Sequence, residues 1–290
     1  MKRHLAPTFD NPLAAPTQAE WDAMTEAERA AFRVAPISAT EEELDAMSSG
    51  DLHREACLMT ADALSEFFSR RRGGVYVGID LWVFYPGARR FAPDLFVAFD
   101  VEPRKRTRWV VSDEGKGPDF VLEVLHLAKP AKDLKDNVAL FARLGIPEYF
   151  VYDLENRRIH GYRQADPGAE PSARRYVPIL AQHGRYTSEV LGLDLLIEGD
   201  ELRLYQANAR LQTRAELYAL LQRSLDQVNG RLGEEQRLRE EEQRLRGEEQ
   251  RLREEEQRLR EEEQRARQDA ETRLAEALAL IAKLNKPANS

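Results

Sequence analysis

The spacing of apolar positions changes several times along the chain, and each change predicts an element. From Asp51 to about Arg70, Leu52, Cys57, Leu58, Ala61, Leu64, Phe67 and Phe68 recur at helical intervals, and Gly73-Gly74 ends the run. VYVGIDLWVFY (75–85), APDLFVAFD (92–100) and FVLEVLHL (120–127) are rich in β-branched and aromatic residues and read as strands. The first of these carries Asp80 within it. The last is apolar enough to be covered on both faces. Pro130 and Asp133 open a second helix through Leu134, Val138, Leu140, Phe141 and Leu144, closed by Gly145. EYFVYD (148–153) is a strand, and IHGYRQ (159–164) is its hairpin partner across the Glu155-Asn156-Arg157 turn. Runs near 185–197 and 201–205 are expected to complete the sheet. The order predicts an α/β domain over 51–205, a mixed central sheet flanked by helices.

The two ends differ from this core. Residues 1–50 read as a helical extension, with capping-box spacings at Thr17/Glu20 and Thr40/Glu43 and with Trp21, Met24, Phe32 and Leu44 to pack it down. Beyond about residue 205, Leu211, Tyr218, Leu225 and Leu232 recur every seven residues, with Leu221 and Val228 in the complementary positions. Leu238, Leu245, Leu252 and Leu259 continue one residue out of step within EEQRLRE repeats, where Glu fills the other seam position. Leu274, Ala277, Leu278, Ile281 and Leu284 restore an apolar stripe. A long helix or coiled coil over 206–284 is predicted, with a tail at 285–290, and self-association through its apolar ends makes a homo-oligomer the expected state.

Composition narrows the partners. Charged residues make up 32% of the chain, and the formal net charge of −8 provides no global field for nucleic acid. DNA contact would fall to local clusters, Arg70-Arg71-Arg72 or Arg104, Lys105, Arg106 and Arg108, whose simpler reading is solvated charge. Cys57 is the single cysteine, so no internal disulfide forms and a thiolate metal site is not expected. No run is long enough for a signal peptide or membrane span, so a cytoplasmic protein with no membrane partner is expected.

Candidate chemistry rests on two acids. Asp94 and Glu123 lie in segments that read as neighbouring buried strands, where a carboxylate is costly unless protonated, paired or bound to a cation. Two of them point to a shared divalent ion, Mg²⁺ or Mn²⁺. Phosphodiester hydrolysis asks for hard oxygen ligands, an activated water and charge stabilisation at phosphate. An acid followed by Glu-x-Lys on one strand is the PD-(D/E)xK nuclease arrangement; here Pro93-Asp94 precedes Glu123-Val124-Leu125, and the lysine is missing. Asp119 also follows a proline, four residues before Glu123, but the wider spacing favours Asp94 as the ligand. Asp80 is either a third member or a hydrogen-bonded structural residue. His53 reads as a locally packed helix residue; it and His4, His126, His160 and His183 show no ligand pattern. Nucleophile-elbow, phosphate-loop and zinc-pair motifs are absent.

The segments PDFVLEVL, KDLKDNVALFARLGIPEYFVYDLENRRIHGYR and GRY (184–186) resemble the Uma-two family of restriction-endonuclease-like bacterial proteins over residues 51 to 205. Gly145-Ile146-Pro147-Glu148-Tyr149 is the most specific part. The resemblance implies a restriction-endonuclease-like core, DNA as substrate, and Asp94 and Glu123 as metal-binding acids. It also implies a lysine four residues after Asp133, where this chain has Asn137, and Ser-Pro-Ser where it has His126-Leu127-Ala128. Lys132, on the lead-in to the helix, is then the substitute, because Lys135 sits half a turn from Asn137. The expected activity is metal-dependent DNA endonuclease; the alternative is a catalytically degenerate nuclease fold serving as a DNA-binding or coiled-coil assembly module.

Overall fold

The computed structural model describes residues 14–37, 50–71, 73–125 and 132–284. The Thr40/Glu43 spacing, Leu44, Arg72, His126 with its two followers, Pro130 and the tail lie outside these. Two units divide at Tyr218.

In the first unit, Thr17 and Thr25 each complete a capping box, with Glu20 and Glu28, and open α1 (Gln18–Ala23) and α2 (Glu26–Val34). Trp21 is buried, and Phe32 packs edge-on against it. α3 (Asp51–Ser69) follows, then β1 (Val75–Ile79), β2 (Val83–Phe84), β3 (Leu95–Phe99), β4 (Trp109–Val110), the short α4 (Val111–Glu114) and β5 (Phe120–Leu125). The predicted strand at 75–85 is two strands. Asp80 takes a left-handed backbone (φ 47°), so the chain leaves the sheet there and β2 pairs instead with β4.

A π-helical turn (Lys132–Asp136) leads into α5 (Asn137–Leu144), which Gly145 ends in the left-handed conformation (φ 79°). β6 (Glu148–Asp153), β7 (Arg158–Gln164) and β8 (Tyr176–Ile179) complete a six-stranded mixed sheet of order β1-β3-β5-β6-β7-β8, in which only β5 and β6 run parallel. The later runs do not extend it. β9 (Tyr186–Ser188), β10 (Leu193–Glu198), β11 (Glu201–Gln206) and β12 (Ala209–Arg210) form a four-stranded sheet of their own.

Alternation along the central strands gives the main sheet two covered faces. Leu95, Val97, Phe99, Phe120, Leu122 and Val124 share a core with Cys57, Ala61, Leu64 and Phe68 of α3 and with Leu195 and Leu204 of the smaller sheet. Phe96, Ala98, Val121 and Leu125 face Phe141, Ile146 and Tyr149. The basic loop after β3 is only partly solvated charge: Arg104 and Lys105 are exposed, but Arg106 and Arg108 are not. Arg106 binds Glu114 and lies over Tyr76 and Trp109, while the buried Arg108 donates to the Ala35 carbonyl.

Among the described residues, no helix is long and apolar enough to cross a membrane. α6 (Arg214–Leu284) spans 71 residues. It begins in the first unit, where Thr213 and Glu216 cap it and Arg214 bonds to Asp62. Beyond Tyr218, Glu-to-Arg bonds four residues apart recur from Glu235–Arg239 to Glu256–Arg260, and Leu238, Leu245, Leu252 and Leu259 are exposed.

The Gly-Ile-Pro-Glu-Tyr segment has a structural cause. Glu148 is fully buried and accepts from Arg163 Nε at 2.7 Å, from the Glu189 amide at 3.0 Å and from the Ser188 hydroxyl, tying the two sheets together. Glu148→Ala would leave Arg163 without its innermost partner. Because Arg163 is partly solvated, the lower end of the range for a broken buried pair is expected, about 3 kcal/mol, read as a fall in the urea midpoint.

Candidate active site

β3 and β5 pair antiparallel with Leu95 opposite Leu122, and one further step sets Asp94 opposite Glu123. Glu123 lies on the face of Val121, towards the carboxyl end of β5, while Asp94, in the bend just before β3, turns its carboxylate to the Val124 amide and to His53 of α3. The pair is locked by backbone bonds. The Asp94 amide donates to Glu123 Oε2 at 3.2 Å, and the Val124 amide donates to Asp94 Oδ2 at 2.7 Å. Asp94 makes no ion pair with lysine or arginine among the described residues; its partner is His53, whose Nε2 lies 3.0 Å from Oδ2.

Other groups arrive from three directions. α5 contributes Asn137, which donates to Asp133 Oδ1 at 3.0 Å and, more weakly, to Glu123 Oε1 at 3.4 Å. Tyr149, buried under the π turn, donates to the Asp133 carbonyl at 3.0 Å and props that turn. Asp80 stands exposed at the rim and its amide bonds to the Asp94 carbonyl. Asp119 is elsewhere. It sits at the opposite end of β5, accepting from the Phe99 amide and paired with Lys116 at 2.7 Å.

The electrostatics are those of an acid cluster short of cations. Burial first, then the charges of Asp94 and Asp133, hold the Glu123 carboxyl well above the usual carboxylate range. Asp133 is pushed up to about 6 by burial, with Asp94 adding to the effect and Lys132 opposing it. Although Asp80 is exposed at the rim, partial desolvation of its carboxyl by the neighbouring protein and then the Asp94 charge also raise it. Burial works against the His53 imidazolium, but Asp94, Asp80 and Asp133 together outweigh it and the net movement is upward. Lys132 is exposed, yet its charge pulls down both Glu123 and Asp133. In an α-helix, residues five apart are about 140° apart around the axis, whereas i→i+5 bonding stacks them. The π turn therefore sets Lys132 on the side of Asn137 and the acids.

Cys57 Sγ lies 3.8 Å from His53 Nδ1, giving the line Cys57–His53–Asp94. It is not a nucleophilic relay, because the thiol is buried and its pKa is pushed up by burial and by the surrounding carboxylates.

Residues 36–195, more than half of the chain, match the model of the Uma2 family, described as "Putative restriction endonuclease". The chain belongs to the Uma2 family. The family assignment agrees with the restriction-endonuclease-like reading of the mixed sheet and its helices. A similar solved structure is the crystal structure of a putative nuclease belonging to DUF820 from Anabaena variabilis ATCC 29413. It is 13% identical, covers 49% of this chain and 75% of that one, and has a TM-score of 0.38. No curated protein matches the chain.

Within this Uma2 core, the sequence reading singled out Asp94 and Glu123, and they are adjacent. It read His53 as locally packed, whereas it pairs with Asp94 across 41 residues. It treated Asp133 as a helix opener; the Asp133–Asn137 spacing of four was the available signal for a side chain turned inward.

The raised acids and His53 give the site a pH signature. Each group binds its proton more tightly in the folded chain, so its stabilising contribution is complete below its own unfolded value, the carboxylate range for the acids and the ordinary histidine value for His53. That contribution is lost as pH rises through the folded values, near 6 for Asp133. In chelator, Glu123→Gln should match the wild-type melting temperature near pH 4.5 and exceed it at pH 7. A constant gap across that range would contradict the assignment.

Proposed function

We propose that this protein is a metal-dependent endonuclease that hydrolyses DNA phosphodiester bonds. In this reading Asp94 and Glu123 hold Mg²⁺ or Mn²⁺, and Lys132 supplies the positive charge that the family's lysine would carry at position 137. The observation that carries the proposal is the juxtaposition of Asp94 and Glu123, two acids brought into contact at the paired ends of β3 and β5, with no lysine or arginine partner at ion-pair distance among the described residues. The donor set fits the ion. Carboxylate oxygens are hard ligands, and protons taken up by Glu123 and Asp133 stand in for charge that a divalent cation would neutralise. When bound, such an ion lowers the pKa of a coordinated water and offsets charge on the phosphate.

The chain's own groups would do the rest. His53 and the Val124 amide fix the Asp94 carboxylate, so its orientation needs no rearrangement on binding. The Asn137 amide restrains Glu123 and Asp133. Lys132, exposed beside the acids, would meet a phosphate oxygen of DNA lying across the strand ends. Residues 51–205 would carry this chemistry, and 206–284 would carry assembly.

Plasmid cleavage in Mg²⁺ or Mn²⁺ should fall at least about 100-fold in Asp94→Ala and Glu123→Ala, the scale on which one preorganised electrostatic contact acts. Lys132→Ala should reduce cleavage while leaving the Mn²⁺ isotherm in place. Equal cleavage by wild type and both acid variants would remove the assignment.

A second reading has its own support. Asn137 is neutral and spans two of the acids, an arrangement suited to a degenerate domain that binds DNA or serves assembly without cutting. Such a domain would show no saturable Mn²⁺ binding by calorimetry. For assembly, the exposed leucines of α6 support a homo-oligomer formed through that helix. Truncation after Tyr218 should then reduce the molar mass measured by light scattering to that of a monomer; an unchanged subunit number would exclude α6 as the interface.

A further inference from the structure

Sequence reading set aside a thiolate metal site because a lone cysteine cannot make one. The fold changes the terms, since it supplies the missing ligands from two other places. His53 and Cys57 are one helical turn apart on α3, and Asp94 meets them from the strand side. Donor atoms of all three lie within 4.8 Å of one another. A tetrahedral ion with bonds of about 2.0–2.3 Å to N, O and S needs its donors roughly 3.3–3.8 Å apart. The cluster is therefore within about an ångström of closing on an ion, and no side-chain cap hydrogen bond holds the start of α3 at Gly50.

We propose that His53, Cys57 and Asp94 form a second cation site, selective for soft or borderline ions such as Zn²⁺ and Cd²⁺. Thiolate and imidazole select these ions, whereas Mg²⁺ takes oxygen ligands. The ligand set differs from the Asp94–Glu123 pair by two of its three members and shares the Asp94 carboxylate. Ions in the two positions contend for that carboxylate, and a soft ion draws Asp94 toward α3. The acids around the cluster, Asp80, Glu123 and Asp133, supply negative charge that offsets the ion. On binding, the thiol gives up its proton to solvent, the ligating imidazole nitrogen loses its proton to solvent or to the other ring nitrogen, and the His53–Asp94 hydrogen bond is exchanged for two bonds to the ion. This site stands apart from the nuclease reading, because it needs neither Glu123 nor DNA.

The chain has one cysteine, so a thiolate-to-metal charge-transfer band has a single possible origin. The full-length protein is titrated with Cd²⁺, and separately with Co²⁺, while near-ultraviolet absorption is followed. A saturable band is expected at one ion per chain. It should be lost in Cys57→Ser, lost or strongly weakened in His53→Gln, and retained in Glu123→Gln. Cys57→Ser should keep the Mn²⁺ isotherm of the wild type, which also shows that the variant is folded. No band in the wild type, or an undiminished band in His53→Gln, would overturn the site. Because the band survives loss of Glu123 and the Mn²⁺ isotherm survives loss of Cys57, failure of this inference and failure of the nuclease reading are distinguishable.

Discussion

The pairing register of β3 with β5 is the constraint on which the rest depends. Because side chains alternate along a strand, a slip of one residue would turn Glu123 to the opposite face and pull the pair apart. The register is held by apolar contacts on both faces, Leu95, Val97 and Leu122 on one side and Phe96 and Val121 on the other. The site itself contributes little to that hold. Its charges repel, and its bonds to backbone amides orient the carboxylates more than they secure the sheet. The hydrophobic layers thus enforce a polar arrangement that would not assemble alone, as expected where local preference and function conflict.

This division explains what was legible in the residues. The strand segments at 95–99, 120–125 and 148–153 announce themselves because both faces are buried, and Gly145 marks the end of α5 for a backbone reason, its left-handed φ. Asp94 and Glu123 stood out because charge inside such runs is unusual. The break at Asp80 did not, since nothing in VYVGIDLWVFY forbids a continuous strand; only the left-handed backbone at Asp80 ends it. The separation of β9 to β12 into their own sheet follows from long-range packing and from Glu148 bridging to Ser188 and Glu189, neither of which is a local property. His53 was ambiguous for the same reason. Its partner is 41 residues away, and helical periodicity sees only the face it shares with Cys57.

Basic residues teach the converse. The Arg104–Arg108 loop has the composition of a nucleic-acid contact, but the structure turns Arg106 and Arg108 inward onto aromatic rings and a carbonyl. The Arg106 and Arg108 guanidinium groups serve here as flat packing pieces with hydrogen-bonding edges, and half of the loop's charge is turned into the fold while Arg104 and Lys105 stay exposed. Local charge density along a sequence is therefore a poor guide to surface potential where aromatic residues lie nearby.

The π turn at Lys132–Asp136 carries a wider consequence. It holds one residue more than an ordinary turn, so distance along the chain and position around the axis come apart there. Position 132 thereby comes round towards position 137 and the carboxylates that Asn137 bonds, although five residues of chain separate the two. Spacing along the chain is therefore a poor measure of angular position within this turn.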